Sequence, residues 1–159
     1  MFKKNEYLVY RKDVCIVKDI IEKENIKYYQ LVPIDDDSLK IEIPVEDKDN
    51  VLRSLITKDE IDSLINSMQS ISVIECSDRM IELEYKNLLS TGSKEDIIKV
   101  IKTAYLRNKE RLQKKKKLSE KDTNYLEKAE KLLYNELSVV LNLSIDATRE
   151  FIIDKVEAI

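Results

Sequence analysis

Ile97–Leu137, IIKVIKTAYLRNKERLQKKKKLSEKDTNYLEKAEKLLYNEL, reads as two long amphipathic helices folded back on each other. In the first half Ile97, Val100, Ile101, Ala104, Tyr105 and Leu112 recur at the spacing of one helix face. Lys99, Lys102, Lys109 and Gln113 fall opposite and make the expected solvent side basic. The run Lys114–Lys117 interrupts the apolar pattern and Leu118-Ser119 restarts it, with Ser119 placed as the cap of a second helix and Asp122 at its third position. That helix turns Leu126, Ala129, Leu132, Leu133, Leu137 and Val140 inward. Lys121, Asn124, Lys128, Lys131, Asn135 and Ser138 form a polar stripe on another side.

Charge sets this hairpin apart. Between Lys94 and Lys121, eleven Lys or Arg stand against four Asp or Glu, inside a chain whose formal net charge is −3. A local excess of that size points to a polyanionic partner; the plainer reading is a solvated helical face with a lysine-rich corner.

Outward from the hairpin, Ser93 caps its first helix, and a helix carrying Met80, Ile81, Leu83, Leu88 and Leu89 is expected from Ser77 to Ser90, ending near Thr91-Gly92. Before it, Thr57-Lys58-Asp59-Glu60 is a capping box opening a short helix with Ile61, Leu64, Ile65 and Met68 inward, and Ile71–Ile74 reads as an extended connector. Ser144 caps a last helix through Ile145, Phe151, Ile152 and Val156 to Ile159, so residues 59–159 form a bundle of about five helices.

Residues 1–58 have another periodicity. Glu6–Tyr10, Val14–Ile21, Ile26–Pro33 and Leu39–Ile43 are β-branched and aromatic runs between polar breaks, which predicts a small antiparallel sheet. Leu39, Ile41 and Ile43 alternate with Lys40 and Glu42, placing one face on a core and one in water, and Pro44 limits further pairing. The fold class is therefore α+β: a Tudor- or SH3-like half-barrel followed by an all-α domain.

Composition narrows the chemistry. The chain has no histidine, and its single glycine is Gly92. Gly-rich phosphate loops, dinucleotide fingerprints, His-based triads and His-containing zinc sites are thereby excluded. No pair among the 31 Asp and Glu stands out for acid–base work, so we expect no enzymatic activity, no cofactor and no small-molecule substrate. Asp35-Asp36-Asp37-Ser38 lacks the glycine and distal Glu of an EF-hand loop and reads as a turn without metal. Cys15 and Cys76 show no CxxC spacing and are expected to be free, buried thiols. No apolar run approaches the ~18 residues of a membrane span and the start MFKKNEYLVY lacks a signal-peptide core, which gives the cytoplasm, with no membrane partner, as the expected location.

Phe2…Glu6-Tyr7-Leu8-Val9-Tyr10 with Val14-Cys15-Ile16-Val17 resembles the "F-x-x-G-D-x-V-V-Y…G-V" opening of the CarD/CdnL family of bacterial transcription regulators, a module shared with the transcription-repair coupling factor. Tyr28-Tyr29, Leu39-x-Ile41-x-Ile43-Pro44-Val45 and Leu52-Arg53 continue the likeness, as do Ile98–Arg111 and Leu118-Ser119…Asp122…Leu126…Ala129…Leu132-Leu133…Glu136-Leu137. The resemblance implies an adaptor whose amino-terminal domain binds the RNA polymerase β subunit and whose helical domain touches promoter DNA at the upstream edge of the bubble. Leu39, Lys40, Ile41, Glu42 and Ile43 are then the polymerase-binding candidates, because an open strand edge can extend a partner's sheet. Lys128 falls where the family presents a DNA-facing lysine; Lys99, Lys102, Lys121 and Lys131 join it from periodicity. Phosphates are the expected target, with weak, sequence-independent binding. Many members carry a tryptophan wedge just before the second helix of the helical domain. This chain has no tryptophan, and the position falls within Glu75–Asp78. The alternatives are a polymerase-binding module with little DNA contact, or a helical-bundle interaction adaptor.

Overall fold

The computed structural model describes residues 1–157, and internal contacts divide the chain into two units, Met1–Ile56 and Thr57–Ile159. The first is an antiparallel sheet of β1 (Tyr7–Tyr10), β2 (Asp13–Lys23), β3 (Ile26–Pro33), β4 (Ile41–Pro44) and β5 (Leu52–Arg53), in the order β4-β3-β2-β1-β5. Glu24 and Asn25 join β2 to β3 with φ of 51° and 67°, the two left-handed residues of a tight hairpin whose twist matches its strands. Between Val17 and Asp19 the register slips, and such a bulge bends the long β2 over its own core. That core is Leu8, Cys15, Val17, Tyr29 and Leu31, with Phe2, Ile41, Ile43 and Leu52 packed on it. Burial pushes the Cys15 thiol up to about 11.

Strand ends shift by a residue or two from the sequence reading at β1 and β2, and two differences go further. Leu39 and Lys40 lie outside β4, because Leu39 would have to face Pro33, which has no amide to donate, and a turn around Asp36 takes over. There Leu39 N–H donates to the Asp36 carbonyl and Ser38 donates to its carboxylate, at 2.6 Å from the hydroxyl. Leu52-Arg53, not read as a strand, pairs with β1 as β5; the Asp47 carboxylate holds its start by accepting the Val51 and Leu52 N–H groups, each at 2.9 Å.

In the second unit α1 (Lys58–Ser67) begins at the capping box and runs into a 3-10 turn, Met68–Ser70. It is followed by α2 (Ile81–Thr91), α3 (Lys94–Gln113), α4 (Glu120–Leu141) and α5 (Ile145–Glu157). The hairpin of α3 and α4 is the centre, with Ile98, Val100, Ile101, Ala104, Ala129, Leu133 and Leu137 almost fully buried. Ser93, Ser119 and Ser144 accept the N–H groups of Asp96, Asp122 and Ala147 as caps. Gly92 closes α2 with φ 74°, a conformation that needs no Cβ. The helical corner is clamped by Asn108, whose amide donates to Thr123 Oγ1 at 3.1 Å and accepts the Ser119 N–H at 3.0 Å. At the far end Lys94 meets the buried Glu136 at 3.1 Å.

Here too the structure corrects details. α2 starts at Ile81 rather than Ser77, since Met80 N–H donates to the Ser77 carbonyl in a turn and the Asp78 carboxylate, the natural cap, is held by Arg107. Leu112, read as a core position, is 60% exposed because it lies near the end of α3. Ser138, read as part of the polar stripe, is buried, its hydroxyl donating to the Asn135 carbonyl. Cys15 is buried as expected, but Cys76 is exposed, in the irregular segment before α2. The expected end of the last helix at Ile159 lies outside the described residues.

Candidate functional site

The polar centre of the helical unit is Asp122. As the third residue of α4 it is turned inward and fully buried, where Tyr85 of α2 donates to it at 2.7 Å and Arg107 of α3 at 3.1 Å. Burial pushes the Tyr85 phenol up, and the bond to Asp122 adds to it. The same guanidinium reaches Asp78 at 3.0 Å and holds that carboxyl below the usual carboxylate range. One carboxylate thus ties α2, α3 and α4 together where α4 begins. The sequence places Asp122 at a capping position and within the motif that carries the resemblance, but nothing in the spacing points to Tyr85, 37 residues away.

On the outside of this centre lies a basic surface. Lys121 Nζ donates to the Asp78 carbonyl at 3.3 Å. About two turns along α4, Lys128 Nζ stands 4.7 Å from the centroid of the Tyr125 ring. Tyr125 in turn donates to Glu82 of α2 at 3.3 Å, and Glu82 lies 3.8 Å from Lys86. These contacts bring Lys86, Lys121 and Lys128 onto one exposed seam between α2 and α4. Lys86 was not among the sequence candidates; it became recognisable only when α2 was seen beside α4. Lys131 is exposed, three residues beyond Lys128.

The other two candidates fall elsewhere. Lys102, expected in solvent, is 5% exposed, and its ammonium donates to the carbonyls of Met68 and Ile71 at 3.1 and 2.6 Å. It is a structural plug for the end of the 3-10 turn, buried away from any phosphate; the 3.6-residue pattern of α3 could not show that residues 68–74 cover that side. Lys99, half-buried, shares the α3 side of Lys102 and Thr103 rather than the Asn108 side that meets α4.

In the sheet unit β4 is an edge, bonded on one side to β3. Ile41 and Ile43 rest on the core, whereas Glu42 is exposed and pairs with Lys23 at 2.8 Å, with Gln30 beside it at 3.4 Å. Those bonds hold the Glu42 carboxyl below its ordinary value, the one to Lys23 most. Next to the strand lies a cleft of about 580 Å³ lined by Ile26, Tyr28, Ile43, Pro44 and Val45 with the acidic loop Glu46–Asp49. Lys40 and Leu39, off the strand, are both exposed.

Among the described residues no His, Cys, Asp and Glu group is placed to hold a metal ion, and no helix is long and apolar enough to cross a membrane. What the molecule offers is surfaces: an open sheet edge with a cleft, and a helical unit with a lysine seam. It is an α+β protein of two units, built for association. A family model described as CarD, C-terminal domain, matches residues 60–153, which covers the helical unit from α1 into α5. The chain belongs to the CarD family and is a CarD-like transcription regulator, of a family that interacts with RNA polymerase. A search of curated proteins finds no match.

Proposed function

We propose that this regulator binds the β subunit of RNA polymerase through the β4 edge and lays its α2–α4 seam on the phosphate backbone of promoter DNA near the upstream edge of the bubble, so modulating initiation. The observation that carries the DNA half is the convergence of Lys86, Lys121 and Lys128 from two helices on one exposed surface. Ammonium groups neutralise phosphates without reading bases, so the contact positions the protein and leaves promoter choice to the polymerase. The polymerase half is supported by an edge strand whose apolar side is committed to the core, leaving its outer main-chain groups to a partner, with the exposed Lys23–Glu42 pair beside them. The cleft beside it suits an apolar anchor residue of the added strand.

A second reading, polymerase binding with little DNA contact, is favoured by one observation. No tryptophan exists in the chain, and Glu75 and Asp78 occupy the stretch where many family members place theirs. The two readings separate in a single pair of measurements. Pull-down titration with the β subunit should weaken on Lys40→Glu with Glu42→Lys, while thermal unfolding stays nearly unchanged. Fluorescence anisotropy with duplex and forked promoter DNA should show weak binding that falls with salt, flattened by Lys121→Gln with Lys128→Gln and Lys131→Gln. Salt-independent or undetectable DNA binding, even on tethering to polymerase, replaces the first reading by the second; unaltered β affinity removes the β4 edge.

A further inference from the structure

At the tip of the helical hairpin the chain does something that a simple lysine run would not. α3 ends at Gln113, and Lys115 then takes a left-handed conformation, φ 57°, which reverses the direction of the chain. The Lys116 N–H returns to the Arg111 carbonyl at 2.8 Å, and the N–H groups of Lys114 and Lys115 cap the carbonyls of Glu110 and Leu112. With those carbonyls satisfied, the negative end of the α3 dipole is blunted. The reversal brings Arg111, Lys114 and Lys116 round a polar basin of about 150 Å³ completed by Asp78, Arg107 and Glu110.

The charges in this basin do not cancel. Asp78 is committed to Arg107, and Glu110 to Lys114 at 2.8 Å. Arg111 and Lys116 form no ion pair among the described residues. Because Arg107 also answers the buried Asp122, four cations stand against three acids, and the positive excess falls to Arg111 and Lys116, which line a space with room for one tetrahedral anion and too small for a nucleoside. Asp78 also joins the basin to the lysine seam, since its carbonyl accepts from Lys121.

We infer that the hairpin tip is a phosphate-binding site in which Arg111 and Lys116 together grip a single phosphodiester of the nucleic acid that runs along the α2–α4 seam. This rests on the proposed DNA contact and adds a defined anchor at its end, where side chains from α3 and from the reversal after it meet on one phosphate. Lys115 and Lys117, exposed beside the basin, add to the local potential.

The test uses the full chain. Duplex binding is measured by anisotropy across about 50 to 200 mM salt for the wild type, for Arg111→Gln with Lys116→Gln, for Lys121→Gln with Lys128→Gln, and for the charge-retaining pair Arg111→Lys with Lys116→Arg. Inorganic phosphate is titrated separately at constant ionic strength against chloride, and the backbone amide signals of residues 111 and 116 are followed by NMR. If two cations hold one phosphate, the tip variant flattens the log–log slope by about 0.9 rather than twice that, a difference of about threefold in affinity lost over this salt range. The seam variant should flatten it further and independently, the charge-retaining pair should keep the wild-type slope, and phosphate should shift both amides.

Amide shifts with an unchanged slope in the tip variant would make the ligand a free phosphate and overturn the nucleic-acid assignment. A tip variant like wild type with no phosphate shifts would overturn the site, while a seam variant that still flattens the slope would leave the proposed function standing. A wild type without salt-dependent DNA binding would sink the proposed DNA contact and with it the phosphodiester; the phosphate titration then decides whether an anion site exists at all.

Discussion

Replacing Asp122 by Ala removes the acceptor shared by three helices. Breaking a buried ion pair from one side costs about 3–5 kcal/mol. Arg107 is 26% exposed and keeps Asp78, which places its share at the low end, about 3 kcal/mol. The Tyr85 hydroxyl, buried and left without its 2.7 Å partner, adds about 1 kcal/mol. The expected loss is therefore about 4 kcal/mol, a large part of the stability of a unit this size. Asp122→Asn keeps an oxygen for Tyr85 and loses the charge facing Arg107, so it should cost about 2 kcal/mol. Because all the helices lie in the second unit, urea unfolding of the full chain followed by far-UV ellipticity reports on that unit. The cycle of Asp122→Ala with Tyr85→Phe should show sub-additive losses, since each change removes the same bond. Equal costs for the Ala and Asn variants, or less than about 1 kcal/mol for Ala, would refute the view of Asp122 as a charged tie.

Lys102→Met removes two charge-assisted bonds to the Met68 and Ile71 carbonyls and should cost about 2 kcal/mol in the same unfolding assay, with DNA affinity unchanged; weakened DNA binding in a folded variant would return Lys102 to the candidate surface. Gly92→Ala meets no atom within 4 Å, so its expected loss of about 1 kcal/mol is pure backbone strain at φ 74°, and Gly92→Asn should recover part of it. The sheet unit should weaken in alkali. The Cys15 thiol titrates at about 11 in the native state against the ordinary 9.0, so the unfolded chain binds fewer protons between these values. This contribution is intact below pH 9 and is lost as pH rises through about 11; in Cys15→Val the urea midpoint of the sheet's NMR signals should vary less over that window. Thiol labelling of the native protein near neutral pH should modify Cys76 promptly and Cys15 only on unfolding.

Much of this architecture is written in local signals. Capping serines at 93, 119 and 144, the box at Thr57–Glu60 and the glycine at 92 are short-range chemistry, and each acts where the sequence places it. The strands are legible for the same reason, except where a partner decides: β5 exists because Asp47 and β1 hold it, and β4 shortens because its neighbour ends in proline. The site was legible only as a composition of charge. Helical periodicity distinguishes one side of α3 from the other but not which side another segment covers, so Lys102 and Lys99 were read with Lys121 and Lys128 although they face away. The tie through Asp122 spans residues 78, 85, 107 and 122, a grouping that exists only once three helices are assembled.

The segment leading into α2 illustrates how a fold can leave room for change. Its course is fixed from outside, by Thr103 accepting the Ile74 N–H, by Arg107 on the Asp78 carboxylate and by Lys121 on the Asp78 carbonyl. The side chains of Glu75, Cys76 and Ser77 between those anchors are exposed. Substitutions at these three positions are expected to be close to neutral for folding, so the segment can change its outer face without cost to the scaffold. A bulky side chain placed here would project outward and leave the helices behind it undisturbed, so one scaffold can carry different outer surfaces at this point.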